Sequence, residues 1–174
     1  MSLILVSPLS AVPGTMRAYN PSHLISLLSP EFMIETPEGF PPSRHLRVNA
    51  HDIAAPEPGK THICAHHISA LLEFARSWDA KRPMLVHCWA GVSRSQATAF
   101  SILCDRSLPG DEQRSAREIR ARAPHAHPNR LIVRLADDML DRQGNMMKAV
   151  EDMGPGSVVE EGPTVEYPLA DFGL

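Results

Sequence analysis

The chain has 174 residues, 43% of them hydrophobic and 21% charged, with a net charge of -3. That balance suits one globular domain with a genuine hydrophobic core. It excludes the strongly basic surface of a nucleic-acid binder or a polybasic membrane patch. Three cysteines (Cys64, Cys88, Cys104) are an odd count without framework spacing, which points to reduced thiols and a cytoplasmic setting.

The charge is unevenly placed. After Lys148 come six acidic residues and no Lys or Arg, which leaves the first 148 residues at +3. The opening "MSLILVSPLSAVPGTM" has no basic residue before Arg17 and is interrupted by Pro8, so no signal peptide is expected. No run approaches the ~18 apolar residues of a membrane span. Neither nucleic acid nor membrane is expected as a partner, and the oligomeric state is left open.

In chain order, "LILV" (3–6) and "HLISLL" (23–28) read as short buried strands, and "HLRVNA" (45–50) alternates as a half-buried strand should. Thr61 is the expected cap of a helix to about Trp78, with Ile63, His67, Ala70, Leu71, Phe74 and Trp78 on its inner face. "PMLVHC" (83–88) is apolar in the manner of a central parallel strand. Strand, helix, strand in that order makes a βαβ unit with parallel strands.

Three helices are expected after it: 93–107 with Ala97, Phe100, Ile102 and Leu103 inward, 110–123 ending at Pro124, and 128–140 with Leu131, Ile132, Leu135 and Met139 inward. Beyond Gly144 the acidic Gly/Pro-rich end is not expected to form regular structure. The reading is α/β: a small, mostly parallel sheet of about 4-5 strands flanked by helices. It has a catalytic domain over 1–145 and an acidic tail over 146–174.

The chemistry concentrates in "LVHCWAGVSRSQATAF" (85–100). A cysteine ends a buried strand, a short loop follows, and a helix starts near Ser93. Backbone N–H groups of Trp89, Ala90, Gly91, Val92 and Ser93, with the free donors of the helix start, make an anion nest. Gly91 permits the tight turn, and the Arg94 fork grips two oxygens of a phosphate or sulfate. The same field favours the thiolate of Cys88.

His87-Cys88, five intervening residues, then Arg94 and Ser95 resemble the active-site motif of the cysteine-dependent protein tyrosine phosphatases. The compact dual-specificity-like and bacterial branch is the nearest in length, over about residues 3 to 143. The resemblance implies the phosphotyrosine protein phosphatase II-like fold and a phosphomonoester hydrolase. It implies that Cys88 attacks phosphorus to give a phosphocysteine and that Arg94 binds the phosphoryl oxygens. Ser95 is implied to assist departure of the thiolate, and His87 to tune it through hydrogen bonds. Neither metal nor organic cofactor is implied. The substrate class is a phosphorylated protein or small phosphomonoester, with tyrosine-only and dual specificity both open.

The family's acid is an aspartate upstream of the cysteine. Asp79, in "SWDAKRP", precedes strand 83–88 and so belongs at the sheet edge remote from Cys88, roughly 17 Å away at ~3.3 Å per residue. Asp52 follows strand 45–50 directly and emerges at the same carboxyl edge as Cys88 if the two strands are parallel. Asp52 is the expected general acid and Glu57, on the same loop, the reserve.

The alternatives carried are a catalytically weak phosphate-binding or scaffold module, and a rhodanese-like sulfurtransferase. His62 and His66, with Cys64 nearby, fall short of a convergent ligand set and read as ordinary helix residues. Cys104 reads as helix core, with a redox partnership with Cys88 left open, and the 12–20 segment with Tyr19 as a wall of the substrate entrance.

Overall fold

The structure, a computed structural model, describes residues 2–174. The strands are β1 (Leu3–Pro8), β2 (His23–Leu28), β3 (His45–Asn49), β4 (Met84–Cys88) and β5 (Val165–Pro168). They form one sheet in the order β3-β2-β4-β1-β5, parallel except for β5, which runs antiparallel to β1. The helices are α1 (Val12–Tyr19), α2 (Ala65–Ser77), α3 (Arg94–Arg106), α4 (Glu112–Arg122), α5 (Arg130–Met139) and α6 (Asn145–Met153). No helix of the described residues is long and apolar enough to cross a membrane.

Strand alternation divides the core in two. Ile4, Val6, Ile25, Leu27, Met84, Val86 and Cys88 face the large cluster that includes residues of α2 through α6. Leu3, Leu5, Leu24 and Leu85 face the opposite side with Val12, Met16 and Phe40. Ser26 and His87 occupy this second side too, paired in register across β2 and β4, as are Ser7 and His87 across β1 and β4.

The helices depart from expectation in detail. Cys64, not Thr61, caps α2, and its buried face is Ile68, Leu71, Leu72 and Ala75 while Ala70 is exposed. α3 has no single inner face: every residue from Arg94 to Cys104 is buried, because the helix is packed against β1, β4, α2, α4 and α5. In α5 the inner face turns toward Val133 and Ala136, leaving Met139 40% exposed.

The chain beyond Gly144 corrects the expectation of an irregular end. Asp137 on α5 caps α6, its Oδ2 accepting from the amides of Met146 at 2.7 Å and Met147 at 3.1 Å. After α6, β5 completes the sheet, with Tyr167 and Phe172 buried edge to face at 5.9 Å. Composition concealed this because the pattern needed is two buried aromatics and a cap supplied from another helix. Tyr19 is corrected as well. It ends α1 next to Asn20, whose carbonyl accepts from Arg82 just before β4 begins, whereas Cys88 stands at that strand's other end. The Tyr19 hydroxyl donates to Glu166 Oε1 at 2.5 Å.

Candidate active site

Cys88 ends β4 with 1% of its surface exposed, and its Sγ lies 3.1 Å from Ser95 Oγ. The loop from Trp89 to Ser93 then wraps round to the first turn of α3. Each carbonyl of that loop is held by a donor from outside it. Trp89 O accepts from Leu9 N at 3.0 Å, Ala90 O from Gly162 N at 2.8 Å and Val92 O from His127 N at 2.9 Å. Gly91 O accepts from Gln96 Nε2 at 3.0 Å. Ser93 O accepts from Ala97 N at 3.0 Å and Asn129 N at 3.3 Å.

Among the described residues, no backbone N–H from Trp89 to Ser93 donates to a protein acceptor. A peptide unit whose oxygen is fixed outward directs its hydrogen the other way. The loop is thereby a cup of amides at the start of α3, suited to a tetrahedral oxyanion. Gly91, at φ +71°, makes the cup possible: a Cβ there would lie 2.8 Å from Pro8 N and 2.9 Å from the Ser7 carbonyl carbon.

Arg94 is 5% exposed; its Nη1 donates to Ala50 O at 2.7 Å, and its Nε has no hydrogen-bond partner. The guanidinium is fixed by one nitrogen on the chain leaving β3, and its remaining donors are unspent. Asp52 is brought to the same edge. Its Oδ1 accepts from Ser93 Oγ at 2.7 Å and from Asn129 Nδ2 at 2.8 Å, and its Oδ2 lies 3.8 Å from Arg94 Nε. The loop after Asp52 is closed by His51 and Thr61, whose backbones pair at 2.8 Å. Glu57 lies exposed on that loop, and Asp79 pairs with Lys81 before β4 begins.

Behind the sheet, His87 belongs to a buried hydrogen-bond row. Ser26 Oγ lies 2.6 Å from His87 Nε2 and 2.8 Å from His45 Nε2, and His45 Nδ1 lies 3.0 Å from Thr36 Oγ1. Burial presses both rings down to about 4. For His87 burial outweighs an upward pull from the Cys88 backbone, and His45 and Arg94 add smaller downward pushes. Both imidazoles are therefore neutral at pH 7. At the mouth, Trp89 is 47% exposed and packs against Phe32, 51% exposed, with ring centroids 4.8 Å apart.

Of the residues the sequence singled out, Cys88, Arg94, Ser95 and Asp52 come together at one edge of the sheet, whereas the His87 ring lies on the opposite face with Ser26. The sequence did not disclose Asn129, Gln96, Tyr167, Ser26 or His45. Asn129 was legible as a helix cap before "RLIV", and its side-chain Oδ1 does accept from Ile132 N at 3.1 Å. Its bond to Asp52 was not legible. Ser26 carried a fainter sign, a polar residue inside an otherwise buried strand.

No protein-family model matches the chain, and no curated protein matches it in sequence. The fold, however, is that of the cysteine-dependent tyrosine and dual-specificity phosphatases. The chain is similar to the PTP-2 phosphatase of Cydia pomonella at 20% identity and TM-score 0.59, over 78% of this chain and 84% of that one. PTPMT1 in complex with PI(5)P matches at 15% identity and TM-score 0.60, over 86% and 96%. The human tyrosine phosphatase-like serine/threonine/tyrosine-interacting protein matches at 17% identity and TM-score 0.59, over 78% and 89%.

Proposed function

We propose that the chain is a phosphomonoester hydrolase of the protein-tyrosine-phosphatase type, working through a phosphocysteine on Cys88. One observation carries this reading: the outward pinning of every carbonyl from Trp89 to Ser93 around a buried sulfur. In the first step the Cys88 thiolate attacks phosphorus, the ester P–O bond breaks, and Asp52 gives its proton to the leaving oxygen. In the second, water attacks phosphorus while its proton passes to Asp52. The P–S bond breaks, the Ser95 hydroxyl donates to the departing thiolate, and inorganic phosphate leaves. Arg94 and the loop amides hold the equatorial oxygens throughout, where charge is greatest.

His87 acts as a positioning residue beneath the loop and not as a base, since its ring is neutral and faces the opposite side of the sheet from Cys88. The loop interior carries no lysine, which favours simple or phosphotyrosine-like esters over multiply phosphorylated ones. The Trp89 and Phe32 rings at the mouth favour an aromatic leaving group by stacking.

A second reading, a phosphate-binding module with little turnover, draws on Asp52: Oδ1 already accepts two hydrogen bonds and Oδ2 faces Arg94. A sulfurtransferase gives Ser95 no role. Hydrolysis of p-nitrophenyl phosphate in chelator, lost in Cys88→Ser, is the result expected of the hydrolase. Phosphopeptide binding without turnover selects the module, and sulfur transfer from thiosulfate to cyanide selects the third.

A further inference from the structure

Apart from the Cys88 cup, the start of α2 gathers three metal-ligating side chains. Cys64 Sγ lies 3.1 Å from His66 Nδ1 and 3.1 Å from His67 Nδ1, and the three donor atoms all fall within 4.8 Å of one another. The two imidazole rings overlap, with centroids 3.9 Å apart and planes at 36°. The i, i+4 spacing would pair His66 with His62. Backbone geometry selects His67 instead, because Cys64 is extended (φ -143°, ψ 175°) and folds its sulfur back over the first turn.

We propose that Cys64, His66 and His67 form a three-ligand site for a borderline-soft divalent cation of the zinc class, with water completing the tetrahedron. Zinc bonds of ~2.3 Å to sulfur and ~2.0–2.1 Å to nitrogen set an S···N edge of about 3.5 Å and an N···N edge of about 3.4 Å. Both S···N separations lie within about 0.4 Å of that edge, a gap that side-chain rotation closes. One thiolate and two imidazoles exclude calcium and magnesium, which take oxygen ligands.

Coordination releases the Cys64 thiol proton to solvent and takes the His67 lone pair that otherwise accepts the Cys64 N–H at 3.2 Å. That exchange gives up one capping contact for two metal–nitrogen bonds and one metal–sulfur bond. Access is open: His66 is exposed, and Cys64 and His67 are half-buried. The site closes the segment that begins at Asp52, so a bound ion fixes the far anchor of the proposed acid loop without touching Cys88.

The test is titration of the full chain with cobalt(II), a spectroscopic stand-in for zinc. It is done in a Cys88→Ser background to remove the other candidate thiolate; Cys104 is fully buried. The expected result is one equivalent bound, with a sulfur-to-cobalt charge-transfer band that one equivalent of zinc displaces. Cys64→Ser should abolish the band, and His66→Gln should weaken binding by at least about tenfold through loss of a ligand while leaving the circular dichroism unchanged. No band at tenfold excess of cobalt, or a band that survives Cys64→Ser, overturns the proposal.

Discussion

The amide of Gly162 donates to the carbonyl of Ala90 at 2.8 Å, bonding the acidic C-terminal segment to the Cys88 loop. A second tie runs beside it: Tyr167 OH donates to Gln96 Oε1 at 2.6 Å, and Gln96 Nε2 holds the Gly91 carbonyl. Removing the Tyr167 hydroxyl frees the Gln96 amide without emptying the core. Tyr167→Phe is expected to weaken vanadate or phosphate binding about three- to tenfold, the worth of one hydrogen bond. Unchanged anion affinity in that variant would show that the tail does not shape the cup.

Asp52 makes a sharper demand. If it protonates the leaving oxygen, Asp52→Asn should slow hydrolysis of phenolic phosphate esters by roughly 10²–10⁴-fold. The deficit should grow as the leaving group becomes more basic. A change under threefold excludes Asp52 and turns attention to Glu57. Asn129→Ala, which strips one of its two hydrogen bonds, should give a smaller loss in the same direction.

Gly91→Ala brings a Cβ within 2.8 Å of backbone at Pro8 and forces a left-handed φ on alanine. Loop and strand cannot both stay in place. The expected outcome is loss of anion binding with a destabilisation of about 1–3 kcal/mol. Retained turnover with a native melting temperature would contradict the close approach.

Stability should fall on mild acidification. The unfolded His87 ring takes a proton near 6.5, whereas in the fold burial holds it to about 4. Between those values the unfolded state binds more protons, so stability is complete above pH 6.5, declines toward pH 4 and levels off below. From pH 7 to 5 the His87 contribution is roughly 2 kcal/mol, with His45 acting in the same sense. Urea unfolding at several pH values measures the slope, and His87→Gln should flatten it.

At the mouth, Trp89→Ala or Phe32→Ala should raise KM for a phosphotyrosine peptide by about five- to tenfold, in line with ~1 kcal/mol of aromatic stacking. KM for a small aliphatic phosphate should hardly change. Equal effects on both substrates would assign these rings to loop support instead.

Local patterns carried the chemistry that adjacent residues share. A cysteine, a glycine, an arginine and a serine between a buried strand and a helix start specify a cup, because the backbone there has few ways to turn. Apolar runs placed the four parallel strands, and the strand ends placed Asp52 beside Arg94. The three-dimensional fold alone decided what distant segments contribute: Leu9, His127 and Gly162 on the loop carbonyls, Asn129 on Asp52, Ser26 and His45 behind His87, Asp137 at the start of α6. Hydrogen bonds of this kind follow from position in space, and no period or spacing along the chain encodes them. For the same reason the acidic end read as loose, although its buried Tyr167 and Phe172 seat it in the core. Side-chain burial is a property of the assembled sheet and helices, not of composition.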